Sequence, residues 1–178
     1  MRWLVGVSLI FLLVGCSTVE VNVDYDQKFD FLSVSNFSIE HKAKEGESSL
    51  VNDRIVNAIT KQLKLKGYKN AVTPNGLIFH FYYSAKEKTD YRTSYGLASG
   101  FGRVGWGGGV ILSTTDTYNY TEGTLVIDAR NPKTDKIVWR GIGVLELKEQ
   151  KTPQEKTEYI NKIVAKILEK YPSKTLKE

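Results

Sequence analysis

The chain has 178 residues, 41% of them hydrophobic and 25% charged, with a formal charge of +5. That length suits one domain with a real core, and the mild basic excess is not the clustered positive charge that nucleic acid demands. A single cysteine excludes an internal disulfide and a cysteine-bound metal cluster, so packing alone must hold the fold.

The N-terminus opens with Arg2 and an apolar run, Trp3–Val14, broken only by Gly6 and Ser8. These are the proportions of a secretory signal peptide, and the run is short of the roughly 20 residues a membrane span needs. It closes on Leu13, Val14, Gly15 and Cys16, which resembles the lipobox of bacterial lipoproteins rather than an A-x-A-like cleavage site. That resemblance implies a diacylglycerol on the Cys16 thiol and cleavage just before it, where the small Gly15 suits the protease. Two or more acyl chains anchor stably, each buried methylene contributing about 0.8 kcal/mol. Ser17 stands where an aspartate favours the inner membrane, so the expected address is the periplasmic face of the outer membrane. The alternative is a plain secretory signal with a chance cysteine. The expected division is residues 1–15 as signal peptide, 16–18 as acylated N-terminus and tether, 19–172 as one domain and 173–178 as a flexible tail.

Past the tether, Val19, Val21, Val23 and Tyr25 alternate with polar residues as a half-buried strand does. Asp24, Asp26 and Asp30 follow without the glycine and bidentate glutamate of a calcium loop, and read as a polar strand end. Phe37 and Ile39 suggest a short strand, and His41 lies in a charged loop as a solvated histidine. Ser48 or Ser49 can cap a helix whose apolar face is Val51, Ile55, Ala58, Ile59 and Leu63, with Gly67 ending it. Leu77, Phe79, Phe81 and Tyr83 share one face of the next strand, and Ile78, His80 and Tyr82 the other. His80 has no second histidine, cysteine or paired carboxylate at a partner spacing, so a packed or edge histidine is expected.

Residues 96–109 carry seven glycines around Phe101, Arg103 and Trp106. Gly100, Gly102 and Gly105 match G-x-G-x-x-G, but strand-like Val110, Ile111 and Leu112 follow where a dinucleotide site needs a helix, so no cofactor is expected. The plain reading is a loop joining two strands. The functional one is a contact loop presenting Phe101, Arg103 and Trp106 to a partner protein, a glycan or lipid headgroups. Tyr118 and Tyr120 open a long strand through Asp128, and Asn131–Asp135 forms a turn. Trp139, Gly141, Gly143 and Leu145, with Ile137 and Leu147 in phase, alternate in the returning hairpin strand. Thr152, Pro153 and Glu155 make a capping box, and Ile160, Ile163, Val164, Ile167 and Leu168 a helical stripe that Pro172 ends.

Val21 to Asp26 near the tether, Lys66-Gly67-Tyr68 after a helix, Gly123 to Asp128, Val138 to Gly141 after the turn, and Lys170-Tyr171-Pro172 form an ordered pattern. Together they resemble the bacterial envelope lipoproteins grouped as domain-of-unknown-function family 4136, over nearly all of the mature chain. The resemblance implies an outer-membrane or periplasmic lipoprotein with a small α+β domain, and no reaction or catalytic residues. Arg130-Asn131 departs from a more acidic turn entry, and no role is carried over to that turn.

The element order predicts an α+β domain, an antiparallel or mixed sheet with two helices on one face. The open sheet face and the glycine-rich segment remain as binding surface, with Tyr82, Tyr118, Tyr120 and Trp106 as stacking groups. Three function classes follow. The first is a non-catalytic lipoprotein that binds or scaffolds an envelope partner, the membrane being reached through its anchor. The second is a carrier of a glycan or apolar ligand. The third is an envelope hydrolase, for which a buried pair of carboxylates involving Asp128 or Glu122 would be the sign. Neither a metal nor nucleic acid is expected as a partner.

Overall fold

A computed structural model describes residues 19–72, 76–98 and 110–174. The elements are β1 (Glu20–Tyr25), β2 (Asn36–Ile39), α1 (Ser49–Leu65), β3 (Lys69–Asn70), β4 (Leu77–Ala98), β5 (Val110–Asn131), β6 (Lys136–Glu146) and α2 (Pro153–Leu168), with a 3-10 turn at Phe31–Ser33. The six strands form one open sheet in the order β1-β6-β5-β4-β2-β3. Its pairs are antiparallel except that β2 runs parallel to both neighbours, so the sheet is mixed and the domain is α+β.

Alternation decides the faces. Phe37, Leu77, Phe79, Phe81, Leu125, Ile127, Ala129, Trp139 and Leu145 are buried in one cluster with Ile55, Ala58, Ile59 and Leu63 of α1 and Ile163, Val164, Ile167 and Leu168 of α2. Both helices therefore cover the same face, and each buries the stripe its spacing predicts. α1 ends in a Schellman motif. Gly67 takes a φ of +87°, and the Tyr68 amide reaches back to the Leu63 carbonyl at 3.1 Å. Ser48 is the α1 N-cap but makes no side-chain cap hydrogen bond. At α2 the expected cap is formed, the Glu155 amide donating to the Thr152 hydroxyl at 3.1 Å.

Two expectations about strands are corrected. The spacing of β6 placed Ile137 in phase with Trp139, but the pairing steps from Ala129↔Trp139 to Arg130↔Ile137. This bulge buries Val138 beside Trp139 and leaves Ile137 47% exposed. Strand β5 starts at Val110 rather than Tyr118, and β4 runs to Ala98, so β4 enters the glycine-rich segment and β5 begins directly after it, with Gly96 paired to Leu112.

Tyr171 occupies the centre of the core. Its ring meets Phe31, Phe79 and Trp139 edge-on, at centroid distances of 5.9, 5.4 and 5.1 Å. Just beyond it the Lys174 amide donates to the Lys66 carbonyl at 2.9 Å, and its ammonium to the Ser35 hydroxyl at 2.8 Å. Gly141 and Gly143 of β6 face α2. A Cβ on Gly141 would run into Trp139 and come within 2.6 Å of Ile167, and one on Gly143 within 2.7 Å of Ile167, so the glycines set how closely α2 approaches.

Candidate functional site

The sheet face away from the helices carries three of the predicted stacking residues. Directly opposed residues of an antiparallel pair share a face, and the register sets Tyr82 opposite Val126, Lys88 opposite Tyr120 and Asp90 opposite Tyr118. Tyr82 and Tyr118 are 47% and 45% exposed. The rings of Tyr118 and Tyr120 stack at 5.9 Å, and the Tyr118 hydroxyl donates to Glu146 Oε1 at 2.6 Å. Lys44 Nζ stands 5.7 Å over the Tyr82 ring. Tyr82 is thus separated from the tyrosine pair along the strands, and the three do not form one cluster. Cys16, Phe101, Arg103 and Trp106 lie outside the described residues.

A row of polar residues crosses the same face. Arg140 donates to Asp128 through Nε and Nη2, both at 2.6 Å, and the Asp128 carboxylate is buried while the guanidinium stays partly open to water. The hydrogen bond to Asp128 holds the guanidinium above its ordinary pKa against the opposing effect of burial, and the charges of Asp128, Tyr82 and Asp24 add to it. Glu122 accepts from Lys88 at 2.6 Å, and that bond raises the lysine. Asp128 and Glu122 therefore each have a cation partner; Glu122 stands opposite Glu146 in the register, and that second carboxylate accepts from the Tyr118 hydroxyl. His80 lies opposite Asp128 in the register, yet its Nε2 is buried without a hydrogen-bond partner.

His41 is not solvated as expected. Its ring stacks on Phe81 at 4.0 Å, Nδ1 lies 3.2 Å from the Phe81 carbonyl and Nε2 2.7 Å from Glu47. β2 ends just before it, and pairing beside Phe79 draws the ring over the free flank of β4. Burial pushes Glu47 up, but the bonds from His41, the Lys44 amide and Asn52, with the His41 charge, outweigh it and leave the carboxyl below its ordinary value. Among the described residues no three of His, Cys, Asp and Glu are grouped to hold a metal, and no helix is long and apolar enough to cross a membrane.

On the helix side, an apolar cleft of about 430 Å³ opens between the N-terminal halves of α1 and α2, over the middle of β4 and β5 and the end of β6. Ile55, Leu125, Leu145, Leu147 and Ile160 line it, and Tyr159 closes one wall, its hydroxyl donating to the Glu146 carbonyl at 3.1 Å. Lys148 and Lys156 stand at its exposed rim. Sequence reasoning missed this cleft, because its wall is assembled from five elements and no single periodicity displays it. The one available signal was Leu147, an apolar residue continuing past the end of β6.

The last feature is the length of the β4–β5 hairpin. Strand β6 stops at Glu146, opposite Glu122, with one further bond from the Leu147 amide to the Thr121 carbonyl. Beyond that level, from Glu87↔Thr121 to Ala98↔Val110, β4 and β5 pair only with each other among the described residues. At about 3.3 Å per residue this two-stranded arm is about 40 Å long.

A family model described as "Domain of unknown function (DUF4136)" matches residues 21–173. No curated protein matches the sequence. Among solved structures, a PDZ domain protein from Parabacteroides distasonis is similar at 12% identity and a TM-score of 0.54, over 89% of this chain and 37% of that one. A PelC dodecamer from Paraburkholderia phytofirmans is similar at 9% identity and a TM-score of 0.50, over 85% of this chain and 95% of that one. A DUF4136 family protein from Bacteroides thetaiotaomicron is 16% identical, with a TM-score of 0.44, over 88% of this chain and 98% of that one. At these identities the likeness is one of fold.

Proposed function

The chain belongs to the DUF4136 family, a family of unknown function, and we propose that it serves there as a lipid-anchored, non-catalytic scaffold on the periplasmic face of the outer membrane. Acyl groups on Cys16 moor the domain, and the domain offers its sheet to another envelope component. The observation that carries this reading is the arm. A two-stranded ribbon is marginal by itself in water, and its edges are unpaired backbone, so it is an element for contact rather than for chemistry. The cation partners of Asp128 and Glu122 favour the same reading over a hydrolase. A PelC protein with a similar fold assembles as a dodecamer, which supports assembly as the use of such a domain.

The test is the mass of the mature chain, followed by crosslinking of the anchored protein in intact envelopes. A diacylated or triacylated Cys16 and a reproducible crosslinked species are expected. An unmodified chain in the soluble fraction would refute the mooring, and a membrane-bound chain that crosslinks to nothing would refute the scaffold.

A second reading, a carrier of an apolar ligand, is favoured by the cleft between the helices. An apolar wall with two lysines at the rim suits an acyl chain with an anionic head better than it suits a glycan. Titration with a fluorescent fatty acid tests it, and saturable one-to-one binding is the expected result.

A further inference from the structure

The arm and the mooring leave the domain at the same end. β1 is antiparallel to β6, so its first residue, Glu20, lies opposite Val144, near the end of β6 at Glu146, the level at which the arm departs. Val19 and Glu20 therefore lie at the end of the domain from which the arm projects. Under the proposed lipidation only Ser17 and Thr18 separate Cys16 from Val19, a leash of roughly 10 Å. A domain held that close to a bilayer has no room for a 40 Å arm pointing freely toward it. The arm must lie along the surface or enter it, where water no longer satisfies every N–H and C=O of its two edges.

From this we infer that the arms of neighbouring copies of this chain pair edge to edge, the outer edge of β4 in one copy against that of β5 in the next. The inference rests on the proposed mooring. Another copy is the one partner certain to supply a strand of matching length, at the same height and in the correct sense. All arms point the same way, so β4 and a neighbour's β5 meet antiparallel, as β4 and β5 do within one arm. Such head-to-tail contacts have no natural end except closure into a ring. The register also gives the arm two unlike faces. One carries Lys86, Lys88, Asp90, Asp116 and Glu122, and the other Thr89, Tyr91, Thr93, Thr117 and Asn119, with Glu87 at the base of the arm as its charged residue. A closed ring can turn the highly charged face to water and the other, charged only at its base by Glu87, outward.

The acylated full chain, its lipid first verified by mass, would be examined by mass photometry in detergent and after reconstitution in phosphatidylethanolamine–phosphatidylglycerol vesicles. A matched variant replaces Glu87–Thr121 by Asn-Gly, a two-residue turn that joins the directly opposed Lys86 and Glu122. The expected result is one closed multimer for the full chain and a monomer for the variant, the two with melting temperatures within a few degrees. A monomeric full chain in both media overturns the inference, as does a variant that assembles to the same copy number. A monomer whose arm is shielded from protease only by vesicles overturns it in favour of a lipid contact. If the variant does not fold, amide exchange of the full chain decides: slow exchange along both outward rows of arm amides supports pairing, and solvent-rate exchange of either row overturns it. A chain without lipid refutes the mooring alone, since copy number in detergent still reports on the edges.

Discussion

At the scale of residues, the sharpest constraints sit where a backbone position admits no side chain or a charge admits no loss of its partner. Gly141→Ala puts a methyl group between Trp139 and Ile167, and overpacking of this kind costs about 1–3 kcal/mol, to be read as a lowered Tm with an unchanged far-UV spectrum. Arg140→Ala strands the buried Asp128 carboxylate. Because the guanidinium was partly in water, the expected loss is about 2 kcal/mol rather than the larger figure for a fully buried pair, and Arg140→Lys, which keeps the charge and gives up the two-pronged bond, should lose about half as much in denaturant titration. Glu47 carries the pH dependence. Its folded pKa lies below the ordinary 4.5, so its contribution is complete above the unfolded value and is lost as pH falls through the folded one. The protection factor of the Lys44 amide, which donates to Glu47 at 3.2 Å, should fall on acidification below about pH 4.5, and Glu47→Gln should abolish that dependence. None of these pairings can be read from spacing. His41 and Phe81 are 40 positions apart, and the parallel alignment of β2 with β4 is what brings them together.

At the scale of elements, much was legible. The stripes of α1 and α2, the Gly67 stop and the Thr152 cap are local patterns of three or four residues, and local hydrogen bonds realise them. Thr152→Ala should destabilise the fold by about 1 kcal/mol, whereas Ser48→Ala should be near neutral, because Ser48 makes no side-chain cap hydrogen bond; paired urea titrations separate the two. The strands were legible by alternation until alternation failed. At the Ala129/Arg130 bulge an extra residue shifts the phase of β6, and Ile137, which shares the apolar chemistry of its neighbours, ends up outside. The arm was hidden for a different reason. From Glu87 to Thr93 and from Thr115 to Thr121 its sequence is rich in Thr, Tyr and single charges, so no apolar alternation links the strand-like Val110, Ile111 and Leu112 to the strands of the domain.

At the scale of the whole molecule, the α+β class with both helices on one face followed from element order, but the sites did not. The cleft exists only because the N-terminal halves of α1 and α2 are set apart over β5 and β6. Ile160→Glu, placing a carboxylate on its wall, should weaken binding of an anionic fluorescent fatty acid at least tenfold, while Lys148→Gln should weaken it only a few-fold, as expected for a solvent-screened charge at a rim. The location of Tyr171 has a consequence for how the domain comes into being. Four of its aromatic contacts lie at Phe31, Tyr68, Phe79 and Trp139, so the core cannot close until a residue very late in the chain has emerged. A polypeptide threaded N-terminus first through a translocation channel would keep its sheet unsealed throughout that passage, and would then lock shut in one late, cooperative step.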